Sequence, residues 1–472
     1  MNEDDFRRWA HQAADWSADY LAGIEGRPVR PAVRPGDIMR QLPEVPPAAP
    51  EPMEAIFADL DRVIVPGMTH WKHPRFFAYF PANSSPPSVI AEAVTAAIAA
   101  QCMLWQTSPA ATELETRVLD WVRGMIGLPE GFQGVIQDSA SSATLAALLA
   151  ARERVLSGGG NRDGLAAHPP VRVYCSAQAH SSIDKAVRIA GIGDANLVRI
   201  PVRGERFAMD VAALRAAIMR DREAGCRPAA IVGCLGGTSV GACDDIAALA
   251  EVAREEGLYL HVDAAWAGSA MICPEFRDLM HGAELADSFV LNPHKWLFTN
   301  FDLSAHFVRD PKPLTDALSL KPAYLRTLGT DGQVDYSDWS VPLGRRFRAL
   351  KLWFVIRAYG VERLRDMIRA HVALAREIAD WINRHPDFEI VTRPVLSLFT
   401  FRYSPPGVVD LDGLNARLVE RINADGRIYL TQTQHAGRFV IRFQVGQTNT
   451  ARQHVEEAWG VIQELVAETS RE

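Results

Sequence analysis

Ser288-Phe289-Val290-Leu291-Asn292-Pro293-His294-Lys295-Trp296 reads as a short apolar strand that breaks at Asn-Pro, then presents a histidine and a lysine side by side. A lysine at the end of a buried strand suits imine chemistry, because desolvation lowers its pKa and leaves a nucleophilic amine. Taken alone, the dipeptide equally describes a solvated lysine, the commoner fate of that residue. The neighbouring segments decide. Val171 to Ser176, Asn196 to Val202, Ala229 to Leu235, Leu258 to Asp263, Ser288 to Leu291 and Leu303 to Val308 read as strands, with helical patterns such as Val211 to Glu223 and Ile246 to Glu256 between them. Buried apolar strands alternating with amphipathic helices imply an α/β fold with a mostly parallel, helix-covered central sheet. Ligands in such sheets sit at the C-terminal strand ends, which places His180, Thr238, Asp263 and Lys295 near one another.

Outward from this region the chain divides into three expected segments. Residues 1–80 form an N-terminal arm. Phe6, Trp9, Ala13, Trp16 and Tyr20 give one apolar helix face, and eight prolines between Arg27 and Pro52 make the following stretch extended and semi-rigid. Such an arm suits the surface of a partner subunit; so does a plain linker. Trp71 to Pro81 is dense in aromatics and broken by proline, as pocket-lining segments often are. Residues 81–350 form a large domain. Within it 88 to 128 is helical in pattern, with Pro109 starting a new helix, and Gln137-Asp138-Ser139-Ala140-Ser141-Ser142 leads into a helix from Leu145. Small residues ahead of a helix expose backbone N–H groups to an anion, although ordinary serine capping looks the same. Residues 321 to 340 form a polar loop suited to a lid, and a helix follows from Arg346 to Tyr359. Residues 351–472 form a small α+β domain.

The composition excludes several classes. Across 472 residues, 48% are hydrophobic and 23% charged, ordinary for a soluble globular protein of more than one domain. A net charge of -7 leaves no footprint for nucleic acid or an anionic membrane. Six cysteines without CxxC or Cys/His spacing argue for free thiols and no metal site. The N-terminus lacks the features of a signal peptide and no apolar run reaches membrane-span length, so the expected location is cytoplasmic.

Asp263 closes His261-Val262-Asp263-Ala264-Ala265-Trp266. An acid at the end of an apolar strand costs several kcal/mol of desolvation unless it is paired. A buried acid, a strand-end lysine and a small-residue anion turn on one parallel sheet are what pyridoxal 5'-phosphate needs.

The sequence resembles the pyridoxal-phosphate-dependent aromatic-L-amino-acid decarboxylases, the group II decarboxylases of the aspartate-aminotransferase-like (type I) fold. The resemblance rests on Asn292-Pro293-His294-Lys295-Trp296, His261-Val262-Asp263-Ala264-Ala265, Gln178-Ala179-His180-Ser181-Ser182, Ser108-Pro109 with Glu113-Leu114-Glu115, Pro342-Leu343-Gly344-Arg345-Arg346-Phe347-Arg348 and Arg438-Phe439-Val440-Ile441-Arg442-Phe443. It implies decarboxylation of an aromatic L-amino acid to its arylalkylamine. Lys295 then carries the imine to the cofactor, Asp263 pairs with its ring nitrogen, and His180 stacks on the ring. Ala140, Ser141, Thr238, Ala265, Asn292 and His294 surround the cofactor. Tyr324 returns a proton to the carbon that loses CO2. Trp71, Tyr79, Phe80, Pro81, Gln101, Met103, Phe301 and Gly344 are the expected substrate contacts, in a homodimer with composite sites.

The chain departs from the family pattern at Asp138, Ser142, Gly237, Trp266, Ala82, Gln101 and Met103, and these changes turn the expectation away from a catechol. Gly344, where relatives acting on smaller rings carry Ser, leaves room for tryptophan or its hydroxylated forms at least as well as for tyrosine. Phenylalanine and, least favoured, DOPA complete the range of expected substrates. Competing expectations are an aromatic aldehyde synthase, a decarboxylase of histidine or another small polar amino acid, and a catalytically inactive interaction protein.

Overall fold

Ser288–Leu291 is one of seven strands in a single sheet of the computed structural model, which describes residues 1–320 and 333–469. The strands are β1 (Gln133–Gln137), β2 (Val171–Ser176), β3 (Leu197–Ile200), β4 (Arg227–Cys234), β5 (Tyr259–Asp263), β6 (Ser288–Leu291) and β7 (Ser304–Val308). Their order is β1-β7-β6-β5-β4-β2-β3. From β6 to β3 every neighbouring pair is parallel, while β7 is antiparallel to both β6 and β1. The reason for the exception is local. The link from Leu291 to Ser304 contains only one turn of helix, too little chain for a crossover. Registers Cys234↔Asp263 and Asp263↔Val290 bring the ends of β4, β5 and β6 level.

The covering helices begin where short polar side chains cap them. Asp210 accepts from the Ala212 and Ala213 N–H groups and starts Val211–Glu223; Asp245 accepts from Ala248 N–H and starts Ile246–Glu256. The helix Ala140–Leu156 starts five residues before the expected Leu145, because Ser139 accepts from Ser142 N–H and caps it. Its Ala146, Ala147, Ala150 and Ala151 are buried against Val135, Val173, Val232 and Val308 of the strands. Small side chains let this helix lie close to the sheet.

The chain divides into two compact units. One comprises Met1–Pro81, Arg376–Val391 and Thr400–Glu472; the other comprises Ala82–Ala375 and Thr392–Phe399 and contains the seven-stranded sheet. Thus the N-terminal segment shares a unit with most of the C-terminal segment. In that unit the helix Glu3–Ala22 buries Trp9 against the Phe57 ring at 5.6 Å, whereas Phe6 and Ala13 of the expected face are exposed. Val29 N–H donates to the Gly426 carbonyl at 2.8 Å, and His70 N–H to the Val29 carbonyl at 2.9 Å. The C-terminal four-stranded sheet includes the antiparallel pair Thr431–His435 and Arg438–Gln444. The helix expected to end at Tyr359 does break at Gly360, where φ is +72°, but a second helix runs on to Arg384. Among the described residues no helix is long and apolar enough to cross a membrane, and no group of three or more His, Cys, Asp or Glu is placed to hold a metal.

Candidate active site

Five strand ends converge in the larger unit. Asp263 ends β5 and is buried; its Oδ1 accepts from the Ala265 N–H at 3.1 Å. Next door, β6 ends at Leu291 and Asn292 N–H donates to the Ala265 carbonyl at 2.8 Å, which locks the two exits together. Asn292 Oδ1 accepts from the Ser304 hydroxyl at 2.6 Å, fixing the amide orientation. Proline at the first position then starts a single helical turn, Pro293–Trp296, that carries the half-buried Lys295. His294 Nδ1 accepts from Leu303 N–H at 3.0 Å. Burial, and then the Lys295 charge, push the His294 pKa down to about 3, so the ring is neutral at any working pH.

His180 lies in the turn after β2. Its Nδ1 accepts from the Ser182 N–H at 3.1 Å and meets the Ser182 hydroxyl at 2.8 Å, so the neutral ring carries its proton on Nε2. The side chain is exposed, yet its pKa falls below the ordinary value, first through desolvation; Asp263 pulls it up, Lys295 down and Asp184 up. Those influences place His180 within the electrostatic reach of both Asp263 and Lys295. The turn after β4 lies against the same region. A Cβ on Gly237 would come 3.2 Å from the Gln178 carbonyl, and Gly236, with φ +75°, would drive one within 2.7 Å of Ala267. Thr238 follows, half-buried.

Beyond β1, Ser139 caps the 17-residue helix that starts at Ala140 and also donates its hydroxyl to Asp138 at 3.0 Å. Ala140 and Ala143 pack with Val290 of β6 and with Ala265, which brings the first turn of this helix beside the ends of β5 and β6; Ser141, in the same turn, is exposed. The sheet therefore gathers Lys295, Asp263, His180, Ala140, Ala265, Asn292 and His294, as the strand-end rule requires. Tyr324 lies outside the described residues, as does most of the expected lid; Tyr336–Trp339 at its far end form a 3-10 turn with both aromatics buried.

The expected substrate contacts fall in two groups. Phe301 belongs to the larger unit, with its ring 4.9 Å from that of His294. Gln101 Oε1 accepts from the Arg345 N–H at 2.6 Å, and its amide nitrogen is 3.2 Å from where a Gly344 Cβ would lie. The Met103 carbonyl accepts from Ser337 N–H at 3.0 Å. Trp71, Tyr79, Phe80 and Pro81 belong to the smaller unit. There Trp71 stacks on Tyr79 at 5.5 Å, and the buried Arg442 guanidinium lies 5.6 Å from the Phe80 ring.

Two features escape a reading of the sequence. Asn83, which the sequence reading does not single out, donates its side-chain amide to the Lys295 carbonyl at 2.6 Å. Arg345 and Glu115, quoted above only as parts of motifs, form a buried ion pair at 2.5 Å. Glu115 Oε1 also accepts from Ile136 N–H at 2.8 Å, one residue before β1 ends.

This donor set fits a group that carries an aldehyde, a basic ring nitrogen and a phosphate. It offers one amine, one buried carboxylate, a neutral imidazole and a helix N-terminus flanked by small residues.

Comparison with known proteins agrees. The model of the pyridoxal-dependent decarboxylase conserved domain matches residues 35–404. The aromatic-L-amino-acid decarboxylase of Sus scrofa is 44% identical over 483 residues, spanning 99% of this chain and 97% of its own. The phenylacetaldehyde synthase of Arabidopsis thaliana is 42% identical, over 98% of this chain and 96% of its own. The crystal structure of Oryza sativa TDC with PLP and tryptamine superposes with a TM-score of 0.96 at 39% identity, over 99% of each chain. The family resemblance carried by the Asn-Pro-His-Lys, His-Val-Asp and neighbouring motifs thus extends along the whole chain, which belongs to the pyridoxal-dependent decarboxylases.

Proposed function

We propose that this chain removes CO2 from an aromatic L-amino acid and releases the arylalkylamine. The observation that carries the proposal is the meeting of Lys295, Asp263 and His180 at the C-terminal ends of parallel strands. Lys295 would hold pyridoxal phosphate at its aldehyde and Asp263 at its ring nitrogen. Ala140 and Ser141 would meet its phosphate, with Thr238, Ala265, Asn292 and His294 around it. When bound, this group supplies an electron-withdrawing pyridinium that accepts the electron pair left by a departing carboxylate.

The chain's own residues supply the rest. Asp263, desolvated at its strand end, would pair with the ring nitrogen and favour its protonated form. His180 offers the N–H on Nε2 to the substrate carboxylate, since Nδ1 is already engaged by Ser182. His294 stays neutral and adds no charge beside the amine. The family resemblance assigns to Tyr324 the proton that replaces CO2 at Cα. The relatives from Sus scrofa and Oryza sativa support an aromatic substrate, with Phe301 on the side of the turn that carries Lys295.

Ile90, Val94 and Ile98, spaced one turn apart on Pro86–Ile98, are 58%, 38% and 53% exposed. This stripe supports a homodimer, whose partner the N-terminal segment would also cover. Six buried free thiols suit a reducing, cytoplasmic setting.

Borohydride reduction of protein saturated with pyridoxal phosphate, followed by peptide mapping, tests the site. A pyridoxyl group on Lys295 is the expected result. Attachment elsewhere, or none, refutes the assignment.

A further inference from the structure

The turn Pro293–Trp296 is four residues long, so it ends before helical N–H groups can reach the carbonyls of His294 and Lys295. Asn83 satisfies both. Its backbone N–H donates to the His294 carbonyl at 2.9 Å, and its side-chain amide to the Lys295 carbonyl at 2.6 Å. Asn83 is 1% exposed, so water does not compete for these bonds. It reaches the turn from 212 residues away in sequence, within the same unit. The adjacent residue is anchored as well. Trp296 stacks on Trp266 at 5.1 Å and donates its indole N–H to His371 Nδ1 at 2.9 Å.

We propose that Asn83 is a positioning residue for Lys295. By holding the carbonyls of residues 294 and 295, it fixes the direction in which the lysine side chain leaves the backbone. The amine is thereby ordered before the cofactor arrives, which lowers the entropic cost of joining it. The proposal rests on the function proposed above and concerns a residue to which that function assigns no role. Its consequence is selective. Fixing the lysine favours a ligand that bonds to the amine and leaves unaffected one that occupies the same site without bonding.

Asn83→Ala and the near-isosteric Asn83→Asp both remove the donor. Dissociation constants of the apoprotein for pyridoxal phosphate and for pyridoxamine phosphate, with apoprotein melting curves, supply the test. Pyridoxamine phosphate carries an amine in place of the aldehyde and cannot be joined to Lys295. Both variants are expected to weaken pyridoxal phosphate roughly fivefold, the scale of one lost buried hydrogen bond, with pyridoxamine phosphate unchanged. Unchanged affinity for pyridoxal phosphate overturns the proposal. So does an equal loss for both ligands, which would indicate general damage to the site. Failure of both variants to fold assigns Asn83 to the fold and also overturns it. A wild-type protein that never attaches pyridoxal phosphate to Lys295 is a separate result that defeats the functional reading itself.

Discussion

Asp263 ends β5, and Lys295 rides on the helical turn that follows the neighbouring parallel strand β6. Lys295→Ala should lower kcat at least about 10³-fold, as expected for loss of a covalent catalytic group, and should leave no residue that borohydride can label. Asp263→Asn should keep the label and lose about 10²- to 10³-fold in kcat, because the ring nitrogen loses its charge partner. A kcat within a few-fold of wild type in either variant would remove that residue from the mechanism. His180 adds a pH prediction. Its pKa is lowered, chiefly by desolvation, so the neutral ring persists as pH falls through 6.5. The acid limb of kcat/KM should therefore lie below 6.5, and a limb above that value would contradict the role given to His180. These three side chains were legible in the sequence because Asp263 ends an apolar strand and His180 and Lys295 lie a few residues past the ends of two others, where a polar group is conspicuous. Asn83 was not. Its two partners are carbonyls, which no side-chain motif records, and they lie more than two hundred residues away.

At the scale of elements, the Arg345–Glu115 pair ties the segment after the 3-10 turn Tyr336–Trp339 to the helix Pro109–Ile126 and, through Ile136 N–H, to the last residues of β1. Arg345 also donates to the Ser340 hydroxyl and lies 5.2 Å from the Tyr336 ring. Both partners are almost fully buried, so removing one strands a charge. Glu115→Leu should destabilise by about 3–5 kcal/mol in urea unfolding, whereas Glu115→Leu combined with Arg345→Met should recover much of that loss. Additive losses would show that the pair itself is not the cost. The sequence marked both residues without linking them, since their pairing spans 230 positions. Strand identities were easier, because β2 and β6 begin and end at the residues expected from their apolar runs. The reversed direction of β7 follows from the short link before it, a topological fact that hydrophobic pattern does not encode.

For the whole molecule, the sheet hides titratable groups whose cost appears in acid. His306 is fully buried, neither ring nitrogen has a hydrogen-bond partner among the described residues, and burial pushes its pKa down to about 4. Its ring meets that of His261, likewise buried and held neutral between Ser288 and Thr144. A depressed histidine contributes stability in full above its unfolded value of about 6.5. That contribution drains away as pH falls toward the folded value, up to about 3 kcal/mol for His306. His306→Phe should flatten the decline in stability between pH 6.5 and 4; an unchanged slope would exonerate this residue. The division into units was only partly legible, because the chain leaves one unit near Pro81 and returns to it after Ala375 without a linker-like composition to mark the passage. The family relationship narrows the chemistry to decarboxylation but includes relatives named as aldehyde synthases. The most direct test is a panel of tryptophan, phenylalanine, tyrosine and their hydroxylated forms, with CO2 trapped and products identified by mass. At least one should yield CO2 and its arylalkylamine in equal amounts; no CO2 from any of them, or aldehyde with ammonia and peroxide in place of the amine, would contradict the account.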